Sequence, residues 1–137
     1  MKSILYIHDG YLDSEKANII QVLNMCHAFS NQGTSVKLIL KNSKNIISNN
    51  NEYIKSKFGF SPNFKIQILK KRNFFKFEKY IISKEIKEMI KDPDYDYLFL
   101  RSPLYINFAL KYNKKVIFES HNNLLHNRFK IIDYYWK

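Results

Sequence analysis

The sequence predicts an α/β fold, a Rossmann-like parallel sheet with helices on both faces. Short apolar runs of four to six residues alternate along the chain with longer amphipathic stretches, which is the rhythm of strands joined by crossover helices. The 137 residues are 45% hydrophobic and 16% aromatic, enough to bury the core of one domain. We therefore expect a single Rossmann-like domain over residues 1–137.

The first part of the chain predicts a strand, a helix and a second strand. Residues 3–8 form a short apolar run that suits a buried strand. A helix is predicted over 14–33, because Ser14 suits an N-cap and Gly33 a C-terminal stop. Its apolar residues recur at helical spacing: Ile19, Val22, Cys26 and Phe29. Residues 35–40 then predict the second strand.

The middle of the chain predicts a loop, a third strand and a long helix. The Asn-rich stretch 41–51 is turn-prone and leads into a short helix that ends at Phe58. Residues 64–69 alternate between apolar and polar and predict a strand less buried than the others. A long helix follows over 74–91, and Pro93 stops it.

The last part of the chain repeats the pattern. Residues 97–100 predict the fourth strand, 104–112 a short helix and 116–119 the fifth strand. From Asn127 onward the pattern is helical again. The sequence shows no internal repeat and no Pro- or Gly-rich linker, so nothing divides the chain into two units.

The basic charge is a weaker signal than its size suggests. The formal net charge is +11, but 20 of the 23 basic residues are Lys and only three are Arg. Specific recognition of phosphates and bases favours the bidentate fork of Arg. We therefore expect no nucleic-acid partner.

Cysteine content and hydropathy favour the cytoplasm. Cys26 is the one cysteine of the chain and has no partner for an internal disulfide, as in a reducing compartment. No apolar run approaches the roughly 18–20 residues of a membrane-spanning helix. Any membrane contact is expected to be peripheral.

Three strand ends carry polar clusters. The first predicted strand runs into "HDGYLDSEKAN", the fourth into "RSP" and the fifth into "ESHNN". In an open parallel sheet, ligands bind at the carboxyl ends of the strands, near the point where the strand order reverses. The three clusters therefore predict a site at this edge.

The ordered blocks resemble a known enzyme family. "ILYIHDGYLDSEKANIIQVLNMCHAFSNQGTSVKLI" gives a strand, a polar loop, a helix and a G-x-x-V entry into the second strand, and "YDYLFLRSP" and "KKVIFESHN" follow in order. The sequence in this respect resembles the N-terminal half of retaining GT-B glycosyltransferases, particularly family 4. The matching blocks are short, but they span nearly the whole chain.

The resemblance implies the acceptor-side half of a two-domain enzyme. A second Rossmann-like domain would bind a UDP- or GDP-sugar, and transfer to a glycan, lipid-linked or polysaccharide acceptor would retain the anomeric configuration. No metal or cofactor is implied. The second domain, with its Glu-rich donor motif, lies outside this chain, so we expect the 137 residues alone to be inactive.

Glu119 and His121 are the candidate catalytic pair. In an extended segment their side chains project to the same side, and a carboxylate beside a histidine can fix its tautomer or raise its pKa. By resemblance, His121 lines the donor-sugar side of the cleft and Glu119 supports it. The alternative is a structural pair that closes the strand, with Asn122 or Asn123 capping the next helix.

The remaining candidates are substrate-binding. Arg101 could hold a phosphate or carboxylate, or equally could pair with Glu119 to organise the loops. In the first loop, Gly10 permits close backbone approach and the following helix offers an anion site at its N-terminus. The resemblance implies that residues of this loop, together with one residue after the last strand, bind substrate. They are Asp9, Gly10, Ser14, Lys16, Asn18 and Asn122. The double glycine of many relatives is missing, and Asp9 could simply brace the turn.

The long helix carries a separate hypothesis of peripheral membrane contact through 70–91. Its apolar residues cluster on one face and its lysines on another, the latter being Lys76, Lys84, Lys87 and Lys91. Such a face could rest on anionic lipid at the inner surface of the cytoplasmic membrane. The alternative is a crossover helix with a solvated basic face, and three interspersed Glu residues weaken the lipid hypothesis.

Several other functions are excluded. With only three glycines, the chain has neither a dinucleotide-binding fingerprint nor a P-loop. His121 and His126 have no nearby Cys, as a structural zinc site would need.

The alternative to the glycosyltransferase function comes from another class of protein. It is a noncatalytic basic α/β binding module that docks on membrane or nucleic acid.

Overall fold

The protein is described by a computed structural model that covers residues 1–14, 16–41, 49–69 and 84–120. The strands are β1 (Ser3–Tyr11), β2 (Ser35–Lys41), β3 (Lys65–Leu69), β4 (Tyr97–Leu100) and β5 (Lys115–Phe118). The helices are α1 (Ala17–Asn31), α2 (Asn50–Phe58), α3 (Lys84–Lys91) and α4 (Ile106–Lys111), with a 3-10 turn at Pro103–Tyr105.

The five described strands form one parallel sheet in the order β3-β2-β1-β4-β5. The chain starts in the middle of the sheet, runs outward to β3, and returns to the other side of β1 for β4. The strand order therefore reverses between β1 and β4, which is where open α/β sheets bind ligands. The predicted Rossmann-like arrangement is confirmed.

Helices cover both faces of the sheet, as predicted. Alternate side chains of β1 enter two separate cores, because successive residues of a strand point to opposite faces. Tyr6 joins the core beneath α1 and α2, whereas Leu5 and Ile7 join the core beneath α3 and α4. Because all five described strands run parallel, the residues that follow each strand lie at one edge of the sheet.

Helix α1 begins three residues later than the predicted start at Ser14. The Ser14 amide donates to the Tyr11 carbonyl oxygen (3.1 Å), and the Lys16 amide donates to Ser14 Oγ (3.3 Å). The hydroxyl thus holds a turn before the helix, and Lys16 stands at the N-cap without a capping side-chain bond. The predicted stop is confirmed, since Gly33 adopts φ 79° just after the helix.

Strand β1 extends to Tyr11, beyond the predicted end at residue 8. Its register against β2 shifts between Ile7 and Tyr11, so the polar residues bulge while the strand continues. A Cβ on Gly10 would lie 2.3 Å from Nε2 of His8. Glycine at this position therefore makes room for the imidazole of its own strand.

The other boundaries agree closely with the sequence prediction. Helix α2 ends at Phe58 as predicted, and Asn49 caps its start by accepting from two backbone amides. Strand β3 is only partly buried, as expected. Strand β5 is Lys115–Phe118, but the Glu119 amide still donates to the Leu100 carbonyl oxygen (3.0 Å), so Glu119 stays in register with the sheet.

The long predicted helix is described over Lys84–Lys91 only. It ends before Pro93, as predicted, and residues 74–83 of the prediction lie outside the described part of the chain. His121, Asn122 and the helix predicted from residue 127 also lie outside it. Among the helices that are described, none is long and apolar enough to cross a membrane.

Candidate functional site at the carboxyl edge of the sheet

Glu119 is the centre of a polar cluster at the end of β5. Its Oε2 accepts from Arg101 Nε (3.3 Å), and its Oε1 accepts from Gln21 Nε2 (2.9 Å). A third donor, the Tyr6 hydroxyl, lies 3.4 Å from Oε2. The carboxylate is thereby held by the residue after β4, by α1 and by β1 at once.

Arg101 is turned inward against this cluster. Its side chain is only 6% exposed. Besides the contact with Glu119, Nη1 donates to the Asn18 carbonyl oxygen (3.2 Å) and Nη2 donates to Gln21 Oε1 (3.2 Å). The ion pair named as an alternative in the sequence analysis is thus present. At least three of the five N–H donors of a guanidinium are engaged within the chain.

Gln21 bridges both members of the ion pair with the two ends of one amide group. It donates to Glu119 and accepts from Arg101, which matches the donor and acceptor capacity of a side-chain amide. Sequence reasoning missed Gln21, because a polar residue on an amphipathic helix looks like part of a solvated face. The sequence feature that could have pointed to Gln21 is its position, since Gln21 lies one turn after Asn18 on the same side of α1.

Tyr6 fits a core position in the sequence, and its ring does lie in the core, whereas its hydroxyl reaches Glu119. Its ring is fully buried and stacks on Phe99, with centroids 4.5 Å apart. The pKa of its hydroxyl is raised chiefly by burial; Arg101 opposes the rise and Glu119 adds to it. The phenol therefore stays protonated at ordinary pH and serves as a donor to the carboxylate.

A second polar contact joins the bulged end of β1 to the turn after β4. The hydroxyl of Tyr105, in the 3-10 turn after β4, donates to Asp9 Oδ1 (2.6 Å). Tyr105 is 3% exposed, and burial, followed by the nearby Asp9 charge, raises its pKa. This pair lies beside the reversal point, because β1 and β4 are neighbouring strands.

The other predicted loop residues take different places. Asn18 joins the Arg101 cluster through its backbone carbonyl, whereas Ser14 and Lys16 form the turn before α1. The space that a side chain at Gly10 would occupy is taken by His8, which is itself buried. The glycine therefore has a packing reason that the anion hypothesis did not foresee.

The side chains at this edge of the sheet also bear on metal binding. Within the described ranges, no group of three or more His, Cys, Asp or Glu side chains is placed to hold a metal ion. The polar side chains that the fold brings together there are a guanidinium, two carboxylates, an amide and two phenols, on Arg101, Glu119, Asp9, Gln21, Tyr6 and Tyr105.

The sheet order and its polar edge define a Rossmann-like α/β domain. No family model matches the sequence, and no curated protein matches it. Solved structures similar in fold include the C-terminal domain of a hydrogenase from Pyrococcus furiosus, with a TM-score of 0.54, 15% identity and 86% of this chain and 91% of that chain covered. Another is a chain of the Pnkp1/Rnl/Hen1 RNA repair complex, with a TM-score of 0.52, 15% identity, and 89% and 43% covered. At these identities the similarity shows the fold alone.

Proposed function

We propose that this chain is the acceptor-binding half of a retaining glycosyltransferase of the GT-B type. It would work with a nucleotide-sugar-binding domain to transfer a sugar to a glycan, lipid-linked or polysaccharide acceptor. The observation that carries the proposal is the clamp on Glu119 by Arg101 and Gln21. This clamp holds Glu119, the residue at which the segment that leads to His121 leaves the sheet, beside the strand β4 that borders the strand-order reversal.

The physical support lies in the rigidity of that exit. A carboxylate with partners on three elements keeps one position, and active-site residues need such support to hold a reacting geometry. Glu119 is then a positioning residue for the segment that follows it, including His121. Arg101 neutralises the carboxylate and can present its remaining N–H donors to a ligand anion.

In the proposed reaction, an acceptor oxygen forms a bond to the anomeric carbon of the donor sugar. The bond from that carbon to the nucleoside diphosphate breaks, and the acceptor proton leaves with the released products. This domain would orient the acceptor, and the donor would be bound by a second domain. As part of the proposal, the enzyme acts in the cytoplasm, peripherally at the inner face of the membrane.

The test is release of free nucleotide from a panel of UDP- and GDP-sugars. The protein is assayed together with whatever coding sequence follows Lys137, with membrane extract as the source of acceptor. We expect release from one donor that depends on acceptor, and none from the 137-residue chain alone. If a protein that carries the second domain releases nucleotide from no donor, the proposal is wrong.

A noncatalytic basic module is the second candidate, and one surface favours it. On α3, the ammonium groups of Lys87 and Lys91 lie 5.8 Å and 5.5 Å from the ring centroids of Phe108 and Tyr112. The neighbouring Leu110 is 54% exposed. This combination of cations and apolar groups suits an anionic lipid surface. Binding to anionic vesicles that weakens with salt, and is lost on reversing Lys84 and Lys87, would support it.

A further inference from the structure

Ile117 is an exposed isoleucine on the side of the sheet that α1 covers. In the parallel pairing of β4 and β5 it is the partner of Phe99, so the two side chains point to the same face. Phe99 is 5% exposed and lies near Phe29 of α1, with ring centroids 5.9 Å apart. Ile117 is 41% exposed. The cover that α1 provides therefore ends at β4.

The two faces of β5 are covered unequally. Val116 and Phe118 pack against the core beneath α3 and α4. Among the described residues, the core beneath α1 and α2 includes no side chain of β5. The apolar face of a sheet is stable only when another element packs on it. The face of β5 that holds Ile117 thus has room for one more element beside α1.

Residues 127–137 lie outside the described part of the chain, and their sequence predicts an amphipathic helix. An apolar stripe is formed by Phe129, Ile132 and Trp136, which recur at the i, i+3, i+7 spacing of one helix face. Polar residues recur at the same spacing on a different side: Lys130, Asp133 and Lys137. A helix with this pattern needs an apolar surface to cover its stripe.

The lengths of this segment and of its link fit the face of β5. A helix of eleven residues is about 16 Å long, and a strand of four residues is about 13 Å long. The six residues 121–126 can span up to about 20 Å, which is enough for the chain to turn back at the carboxyl edge. The opposite face of β5 is already covered by the core beneath α3 and α4.

We infer that the apolar stripe of residues 127–137 docks as a helix on the face of β5 that holds Ile117, beside α1. Docking would hold the far end of the link 121–126, whose near end follows the clamped Glu119. His121 belongs to this link and would be held from both sides. The surface and the stripe are independent of sugar transfer, so the inference goes beyond the proposed function.

The test uses the fluorescence of Trp136. It is the only tryptophan of the chain, so its emission reports the surroundings of the stripe alone. The emission maximum and the quenching by acrylamide are measured for the folded 137-residue chain and for the chain in urea. We expect emission at shorter wavelength and weaker quenching in the folded chain. Both should be independent of protein concentration, because the stripe belongs to the same chain.

One variant and a matched control locate the docking surface. Ile117→Asp places a charge on the face of β5, and burial of an unpaired charge is unfavourable. Its emission should move toward that of the chain in urea and its quenching should rise, with the circular dichroism of a folded domain retained. Leu110→Asp is the control, because Leu110 of α4 is also exposed (54%) and lies on the other side of the sheet. It should leave the fluorescence as in wild type.

A second pair of variants changes the segment itself and decides if Ile117→Asp does not fold. Ile132→Asp interrupts the apolar stripe and should expose Trp136 to acrylamide. Tyr134→Asp lies on the opposite side of the predicted helix and should not.

Three results would overturn the inference. The first is equal quenching of Trp136 in the folded chain and in urea. The second is an equal effect of the two variants in either pair. The third is protection of Trp136 that disappears on dilution, which would mean that a second copy of the chain covers the stripe. Nucleotide release is measured separately, so this inference and the proposed function can each fail alone.

Discussion

Arg101 Nε and Glu119 Oε2 lie 3.3 Å apart across the ends of the neighbouring strands β4 and β5. The arginine is 6% and the glutamate 22% exposed, so solvent screens this pair far less than a surface pair. Each partner also bonds to Gln21 on α1. The ion pair therefore ties two strand ends to the helix that follows β1.

Removing the cation should destabilise the fold. Arg101→Met leaves the Glu119 carboxylate partly buried without its counter-charge, and we expect a loss of about 2–4 kcal/mol in the free energy of unfolding. Lys91→Met is the matched control. It removes a cation whose pair with Glu88 is 38% and 61% exposed, and should cost less than about 1 kcal/mol. Urea denaturation measures both. Equal losses would show that Arg101 contributes no more than a surface charge.

The amide bridge at Gln21 makes a separate prediction. Gln21→Leu removes a donor and an acceptor and should cost about 1–3 kcal/mol of stability. Gln21→Glu should cost more near neutral pH than at mildly acidic pH, because its carboxylate would lie against Glu119. Asn24→Leu makes a similar change on the exposed side of α1 and is the control. Thermal melts at two pH values measure the effect, and pH-independent stability of Gln21→Glu would contradict it.

The effects of substitutions at Gly10 and His8 on the free energy of unfolding should be coupled. Gly10→Ala brings a methyl group to within 2.3 Å of His8 Nε2, and we expect a loss of about 1–3 kcal/mol from overpacking. In the His8→Ala background the same substitution should cost much less. A double-mutant cycle on unfolding free energies measures the coupling. Additive effects would mean that the glycine is needed for another reason.

Stability in acid should depend on Asp96. Its pKa lies below the ordinary value of 3.8, first because it accepts from the Ser3 amide and then from the Ser3 hydroxyl. A lowered folded-state pKa stabilises the protein above the unfolded value, and this contribution is lost as the pH falls through the folded-state pKa. Asp96→Asn should therefore lose stability at pH 6 but little at pH 3. Urea denaturation of wild type and Asp96→Asn at both pH values measures the loss in unfolding free energy, and an equal loss at the two values would contradict the prediction.

His121 lies outside the described residues, so its role is tested by function. In an enzyme that carries both domains, His121→Ala should lower turnover by about 100-fold, the lower range for removal of a catalytic acid or base. The fold should remain intact by circular dichroism. His27→Ala, on α1, is the control. Full activity of His121→Ala would make the residue structural.

Patterns of hydrophobicity predicted most of the fold. Five strands and the helices between them follow from apolar periodicity and from stops such as Gly33 and Pro93. The start of α1 did not, because Ser14 uses its hydroxyl for a turn before the helix. The extension of β1 to Tyr11 was also missed, since the register shift after Ile7 carries polar residues within the strand, and such a bulge has no signature in periodicity.

The sequence predicted only those site residues whose type is unusual at their position in the fold. Arg101 and Glu119 stood out as charges at strand ends, and their pairing was one of the alternatives. Tyr6, Gln21 and Tyr105 did not stand out, because a buried aromatic or an exposed amide fits the core or the surface equally well. Their hydroxyl and amide groups meet the carboxylates only through long-range folding, which local sequence patterns do not encode.

The most direct test of the account is acceptor-dependent release of UDP or GDP by wild type, Glu119→Gln and the exposed control Glu88→Gln, each with the second domain. The account predicts release by wild type and the control, and a lower turnover number for Glu119→Gln at a temperature where all three are folded. Equal turnover by the three proteins would contradict the positioning role of Glu119, and no release by any would contradict the transferase itself.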